Sequence, residues 1–144
     1  MIDADASPCG YIAWYNYYTQ SSHLRMLPPV PKNEKFGVQR MEMLAIYFAL
    51  ADNLRKIKKT VKHKKKIRVL IAIRSDSKST VEQLLGRSQI RDELMQRIFL
   101  AISDLLSRVK YTIIFDYLKR SYNLAGLLLE QWKVKEWDKG NKRG

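Results

Sequence analysis

The sequence has very little cysteine and no long hydrophobic run. Its single cysteine, Cys9, cannot form an internal disulfide, and thiolates cannot build a zinc cluster. No apolar run approaches the roughly 20 residues that cross a bilayer, and the opening residues MIDADAS lack the pattern of a secretory leader. We therefore expect an intracellular, cytoplasmic protein that does not enter a membrane.

Acidic residues are also scarce relative to basic ones. The chain of 144 residues has 27 Lys and Arg against 14 Asp and Glu, a formal net charge of +13. Such an excess favours a polyanionic partner such as nucleic acid. A modest surplus of lysine would only keep the surface soluble, but the run RKIKKTVKHKKKIR, from Arg55 to Arg68, contains nine basic residues and no acid.

The apolar content is sufficient for one folded domain. Hydrophobic residues make up 46% of the chain, and its length suits one sheet-and-helix core. No repeat or linker interrupts it. We predict a single domain over residues 1–138, a frayed tail over residues 139–144, and, by assumption, a monomer.

The hydrophobic periodicity predicts three hairpin-linked strands, followed by helices that alternate with strands. The predicted strands lie in MIDADAS, GYIAWYNYYTQ, SSHLRMLPPV, KIRVLIAIRSDS and KYTIIFDYL. Helical spacing begins at Val38 and recurs in KSTVEQLLG, in SQIRDELMQRIFLAISDLLSRV, and in a last helix opened by Ser121 or Asn123. The order β-β-β-α-β-α-α-β-α predicts an α/β fold with a mixed five-stranded sheet flanked by helices.

Three acidic side chains lie at element ends that this topology can bring together. Asp5 is near the end of the first strand, Glu42 in the first turn of the first helix, and Asp76 just after the buried strand. Clustered carboxylates repel one another, and the usual reason to gather them is a hard divalent cation. Each has a plainer alternative: a helix-dipole charge for Glu42, an N-cap for Asp76 and a turn aspartate for Asp5. Their joint occurrence favours the metal site.

Three short motifs resemble those of the ribonuclease H family. DAS at residues 5–7, RMEMLA at residues 40–45 and SDSKSTVEQL from Ser75 are similar to its first-strand, first-helix and T-D-S-x-x-V motifs, in that order. DAS is most similar to the domains of gypsy-type retrotransposons, which implies a virus or mobile element as the source. The resemblance covers nearly the whole chain and implies a ribonuclease H-like fold.

The resemblance also implies an activity. It indicates a Mg²⁺- or Mn²⁺-dependent endonuclease that hydrolyses the RNA strand of RNA–DNA hybrids by a two-metal mechanism, with Asp5, Glu42 and Asp76 as catalytic and metal-binding residues. Two alternatives stay open. One is a DNA-directed nuclease of the same superfamily, such as a junction resolvase, and the other is a nucleic-acid-binding module that has lost catalysis.

The last helix departs from the family pattern. Family members carry an asparagine and then A-D-x-L, whose aspartate is the fourth acid of the site. In SYNLAGLLLE the matching position holds Gly126, or Leu127 if the spacing is counted from Asn123. The alternative metal ligands are Asp3, Glu130 and Asp116. A buried ion pair is the plainer explanation for Asp3.

Nucleic-acid contacts are predicted in the motifs, at the rim of the site and in the basic run. In the family, polar residues just before R-M-E touch the minor groove of a hybrid, and Gln39 matches one of them. Recognition of groove shape, 2′-hydroxyls and phosphates would be independent of base sequence. A solvated lysine-rich loop is the alternative for the basic run, which begins roughly 20 Å along the helix from Glu42. The predicted contacts are Ser7, Gln39, Arg40, Arg74, Lys78, Lys119 and Arg120, with Lys58, Lys59, Lys62, Lys64, Lys65 and Lys66 of the basic run.

Overall fold

In the computed structural model, which describes residues 1–28, 35–61, 70–109 and 111–142, five strands form one sheet. The strands are β1 (Ile2–Ala6), β2 (Tyr11–Asn16), β3 (Ser21–Met26), β4 (Leu70–Ser75) and β5 (Thr112–Tyr117). The helices are α1 (Gly37–Val61), α2 (Lys78–Leu84), α3 (Glu93–Ser107) and α4 (Leu124–Lys142), and a 3₁₀ turn (Arg120–Tyr122) precedes α4.

The sheet is mixed, in the order β3-β2-β1-β4-β5. The strands β1, β2 and β3 pair antiparallel, whereas β4 pairs parallel with both β1 and β5. The turn between β1 and β2 uses Gly10 at φ +97, a conformation that costs glycine little. The predicted α/β architecture, with three antiparallel strands followed by parallel ones, is confirmed.

Alternation along β1 gives the two faces of the sheet different roles. Ile2 and Ala4 point into the main core, which α1 and α3 cover. A smaller apolar cluster on the other face joins Ala13 of β2 to Ala125 and Leu129 of α4. The side chains of Asp3 and Asp5 therefore point away from the main core, toward the start of α4.

Two helix ends differ from the sequence prediction. The first is that of α1, which begins at Gly37, so Glu42 lies in the second turn, and no acidic residue occupies the first turn. This start is one residue before the predicted Val38, so only the placement of Glu42 in the first turn is wrong. The second is that of α4, which extends to Lys142 instead of ending before residue 139, and the fraying of residues 139–144 stays a prediction. One interior glycine costs a helix only about 1 kcal/mol, which the helix-favouring neighbours tolerate. The domain boundary at residue 138 stays a prediction.

Asn123 joins the start of α4 to β1. Its Oδ1 accepts hydrogen bonds from the backbone N–H groups of Ala125 (3.0 Å) and Gly126 (3.3 Å), and its Nδ2 donates to the carbonyl of Ala4 at 3.0 Å. The side chain is fully buried. Of the two residues that the sequence offered as the first of this helix, Asn123 is the cap and Ser121 is not.

Replacement of Asn123 by alanine should destabilise the fold. The change removes a helix cap and the buried hydrogen bond to the carbonyl of Ala4, so the free energy of unfolding should fall by about 2 kcal/mol or more. Ser121→Ala is the control, because Ser121 is exposed and its side chain makes no hydrogen bond among the described residues. Urea unfolding measures both changes, and equal losses in the two variants would contradict this role for Asn123.

Candidate metal centre

Three carboxylates converge where the sheet meets the start of α1. One carboxylate oxygen from each of Asp5, Glu42 and Asp76 lies within 4.8 Å of the other two. Because β1 and β4 are adjacent parallel strands, their carboxyl ends lie at the same edge of the sheet, and Ala4 of β1 is paired with Ser75 of β4. Packing of α1 on β1 then brings Glu42 to the same place.

The plainer alternatives for these three residues do not match the structure. Asp5 lies within β1, paired with Ala13, and is not in a turn. Ser77 rather than Asp76 occupies the N-cap position of α2. The helix dipole acts most strongly within the first turn of a helix, and Glu42 lies beyond the first turn of α1.

Burial and mutual repulsion both oppose ionisation at this site. Burial, followed by the charge of Asp76, raises the pKa of Asp5 to about 7. Burial, followed by the charges of Asp5 and Asp76, raises the pKa of Glu42 to about 9. Burial also raises the pKa of Asp76. Among the described residues, Glu42 Oε2 has no hydrogen-bond partner although it is buried.

These residues fit a hard divalent cation. Carboxylate oxygens are the ligands that Mg²⁺, Mn²⁺ and Ca²⁺ prefer, and an unpartnered buried oxygen is costly unless something binds it. Arg120 lies close enough to lower the pKa of all three acids, but its side chain is 81% exposed. One solvated guanidinium does not offset three clustered negative charges, whereas a divalent cation does.

Gly126 faces this site from α4. A Cβ atom at this position would lie 2.9 Å from Asp5 Oδ2, closer than carbon and oxygen tolerate without movement. Position 126, which the last-helix motif matches to the fourth acid, therefore lies beside Asp5. Because a glycine occupies it, it supplies no carboxylate. Glu130 is exposed and lies 3.7 Å from Arg120, and Asp116 is exposed and accepts from the N–H of Tyr117. Neither belongs to the cluster of three.

Asp3 is engaged in a separate buried network. Arg74 donates to it from Nε at 2.7 Å and from a terminal nitrogen at 3.1 Å, Tyr17 donates from its hydroxyl at 2.7 Å, and the N–H of Leu124 donates at 3.2 Å. Burial and the hydrogen bond to Asp3 raise the pKa of Tyr17 to about 12. The ion-pair explanation thus matches the structure, and Asp3 stands outside the group of three.

The predicted nucleic-acid contacts are distributed unevenly. Lys78, Lys119 and Arg120 are exposed, and Gln39 is half-buried just before the RMEMLA motif. Of these, Arg120 lies close enough to the three carboxylates to lower their pKa values. Ser7 is buried in the β1–β2 turn, where it accepts from the N–H of Cys9. Arg74 donates hydrogen bonds to Asp3. Arg40 makes a bidentate ion pair with Asp92, in which both N···O distances are 2.7 Å.

Half of the basic run, residues 62–68, lies outside the described residues. Lys58 and Lys59 belong to the last part of α1. Lys62, Lys64, Lys65 and Lys66 lie outside the described ranges. Their contact with nucleic acid stays a prediction.

Two supporting contacts were missed by the sequence analysis. A hydrogen bond from Asn123 lowers the pKa of Asp76, against the larger effect of burial. The asparagine of the last-helix motif was the signal that could have identified it. Asp92 caps α3 through the N–H of Met95 and also holds Arg40, which ties the start of α3 to the start of α1 near Glu42. No local pattern links residues so far apart in sequence.

The chain is similar in structure to ribonuclease H proteins. RNase H1 from the halophilic archaeon Halobacterium salinarum NRC-1 matches with a TM-score of 0.65 over 86% of this chain and 88% of that chain, at 15% identity. LC11-RNase H1 in complex with an RNA/DNA hybrid matches at 0.63, over 85% and 86%, at 17% identity. The N-terminal RNase H domain of a Mycobacterium tuberculosis protein matches at 0.60, over 85% and 82%, at 14% identity. No protein-family model and no curated protein matches the sequence. The chain has the ribonuclease H fold.

Among the helices of the described ranges, none combines the length and the apolar character that crossing a membrane requires.

Divalent cations should stabilise the protein, and more strongly near pH 8 than near pH 6. Protons compete with the cation for Asp5 and Glu42, whose pKa values are about 7 and about 9, so a rise in pH strengthens metal binding. Binding to the folded state alone raises the melting temperature. Melting curves with millimolar Mn²⁺ or EDTA at both pH values measure the effect.

Glu42→Gln is the matched control, because it keeps the shape of the side chain and removes its charge. In EDTA, the wild-type free energy of unfolding should fall as the pH rises from about 4 toward the raised pKa values, since the unfolded chain releases protons that the folded site keeps. The variant should lose much of this dependence and most of the stabilisation by Mn²⁺. The same response to Mn²⁺ in both proteins would contradict the assignment of Glu42.

Proposed function

We propose that the protein is a divalent-metal-dependent endonuclease that hydrolyses the RNA strand of RNA–DNA hybrids. The observation that carries the proposal is the convergence of Asp5, Glu42 and Asp76 at one sheet edge of a chain with the ribonuclease H fold. LC11-RNase H1, which shares the fold, binds an RNA/DNA hybrid. Bound Mg²⁺ or Mn²⁺ would supply Lewis-acid activation of water and charge stabilisation at the leaving oxygen.

The chain's own residues would position the metal ligands and attract the substrate. Asp5 and Asp76 are anchored by the pairing of β1 with β4, and the ion pair between Arg40 and Asp92 fixes the helix start that carries Glu42. Rigid placement of this kind is what metal-assisted hydrolysis requires of a protein. Arg120, with the exposed Lys78 and Lys119, would attract the phosphate backbone whatever the base sequence.

Asp76→Asn should abolish cleavage and preserve hybrid binding. Loss of one ligand removes several kcal/mol of charge stabilisation, so the cleavage rate should fall by roughly a thousandfold. Removal of a negative charge near the phosphates should leave hybrid affinity unchanged or higher. Asp116→Asn is the matched control, because Asp116 is exposed and lies outside the cluster. Cleavage of a labelled hybrid and filter binding in EDTA measure the two effects.

Substrate choice separates the proposed activity from that of a junction resolvase. The same assay with four-way DNA junctions should show far slower cleavage than with hybrids. Faster cleavage of junctions would assign the chain to DNA-directed chemistry. If the Asp76→Asn protein cleaved hybrids as fast as the wild-type protein, the carboxylate cluster would take no part in the mechanism.

The second candidate function is a binding module without catalysis, and Gly126 is the observation that favours it. The position beside Asp5 has no side chain, so the site contains three carboxylates among the described residues rather than the four that the family motif implies. Fewer negative ligands weaken metal binding. Absence of cleavage by the wild-type protein, together with hybrid binding that EDTA does not alter, would support the module.

Gly126→Asp should bind Mn²⁺ more tightly and cleave faster than Gly126→Ala. Both variants force Asp5 Oδ2 to move away from a new Cβ, but only the aspartate adds a ligand. A gain of roughly tenfold in metal affinity of the aspartate over the alanine variant is expected. Calorimetric Mn²⁺ titration is the measurement, with hybrid cleavage as the second readout. Tighter Mn²⁺ binding by the alanine variant would contradict the placement of residue 126 at the metal site.

Some sequence predictions stay proposals of their own. These are one domain over residues 1–138, a monomeric state, an intracellular location and an origin in a virus or gypsy-type mobile element. Light scattering of the purified chain tests the monomer directly.

A further inference from the structure

A second candidate site is a cavity of about 720 Å³ on the α1 side of the sheet. The strands β2 and β3, the middle of α1 and the end of α3 contribute to its wall. Asp52, which lines it, is ten residues beyond Glu42 on α1, or roughly 15 Å along the helix axis. The cavity is therefore separate from the three carboxylates.

The charge of the cavity is opposite to that of the carboxylate site. Arg25, Arg55 and Arg108 line it, with Asp52 as the one acid in the lining. Asp52 is already satisfied, because Trp14 Nε1 donates to it at 2.9 Å and Arg25 donates to both its oxygens at 3.2 Å. The lining thus has an excess of positive charge that its own acid does not neutralise.

Two of the arginines can accept a further ligand at low cost. Arg25 Nε is buried and has no hydrogen-bond partner among the described residues. Arg108 pairs with Asp104 at 2.7 Å, but the two side chains are 71% and 58% exposed. Exposed ion pairs of this kind contribute little to stability, so an incoming anion can replace the partner. An unsatisfied donor and an exchangeable guanidinium together suit a phosphate, whose oxygens accept several charge-assisted hydrogen bonds.

Aromatic rings form a further part of the wall. Tyr47 and Phe48 meet edge to face with ring centroids 5.3 Å apart, and the guanidinium of Arg25 lies 4.3 Å from the centroid of the Phe48 ring. Trp14 and His23 pack with centroids 6.1 Å apart. Tyr47 and Phe48 are half-buried and His23 is exposed, so these rings can contact a nucleobase, and base–aromatic contacts do not depend on base identity.

We propose that this cavity binds a nucleotide unit, with its phosphate held by Arg25, Arg55 and Arg108 and its base against the aromatic wall. Arg55 is also the first residue of the basic run and is followed in sequence by eight closely spaced basic residues. The unit belongs to a nucleic-acid strand that extends beyond the carboxylate site, or is a free nucleotide of the same chemistry. Binding at this cavity does not require the proposed nuclease activity.

Arg108→Gln and Arg97→Gln form a matched pair for the test. Both arginines are more than 70% exposed, and both pair with the acid four residues earlier on α3. Arg108 lines the cavity and Arg97 does not. Each variant is titrated in EDTA with a labelled RNA–DNA hybrid, a single-stranded oligonucleotide, GMP and inorganic phosphate. Melting temperatures confirm that both variants are folded.

The expected result is a difference between the two variants. Arg108→Gln should weaken oligonucleotide binding by about tenfold and reduce its salt dependence by roughly one phosphate contact. Arg97→Gln should change the oligonucleotide affinity by less than about twofold. Binding of GMP that is sensitive to Arg108 assigns the site to free nucleotides, and binding of strands alone assigns it to nucleic acid. Equal effects of the two variants, or no binding of any of the four probes, would overturn the proposal.

The indole N–H resonance of Trp14 gives a local readout. Trp14 lines the cavity. Trp132 packs on Tyr11 on the α4 face of the sheet, with ring centroids 3.9 Å apart. Titration with the bound probe should shift the Trp14 signal and leave the Trp132 signal unchanged. A shift of Trp132 alone would place the ligand elsewhere and contradict the proposal.

Discussion

The electrostatic repulsion among three buried carboxylates is the constraint on which the candidate site depends. Asp5 and Glu42 are both less than 10% exposed, and their oxygens lie within 4.8 Å of each other and of an oxygen of Asp76. Folding gains nothing from this crowding, and the raised pKa values of about 7 and about 9 record its cost. A site of this kind persists because backbone pairing, helix packing and the cap at Asn123 fix the side chains from outside, and because a cation can offset their charge.

The fold separates the negative and positive parts of the molecule. The carboxylates occupy the edge of the sheet where β1 and β4 end, and Arg74 and Arg40 near them are neutralised by Asp3 and Asp92. Positive charge is left at exposed residues around the site and in the cavity between α1, α3 and the β2–β3 hairpin. A polyanion that crosses both regions would meet attraction at two points and cation-dependent chemistry at one. Binding of a polyanion, as proposed, would account for the net charge of +13.

The sequence predicted the elements well because each has a clear hydrophobic pattern. Alternation in MIDADAS, the continuous apolar run of β4 and the spacing of three and four in α1 correspond to the observed strands and helix. The three acids were found because they lie at element ends, beside motifs with a known order. The pair Arg40–Asp92 was not predicted, and an ion pair was offered for Asp3 without its partner Arg74, since 52 and 71 residues separate the members of the two pairs. Tertiary packing alone brings such partners together. The same holds for the arginine-lined cavity, whose residues come from four separate elements.

Crystals soaked in Mn²⁺ and measured at the manganese absorption edge test the central claim most directly. The predicted result is an anomalous peak with a carboxylate oxygen from each of Asp5, Glu42 and Asp76 at about 2.0–2.3 Å, with ionised side chains turned toward it. The contradictory result is a structure at the same pH without a peak at this place, in which the three carboxyl groups share protons and hydrogen-bond to one another. In that case the cluster would be a feature of the fold rather than a site of metal chemistry.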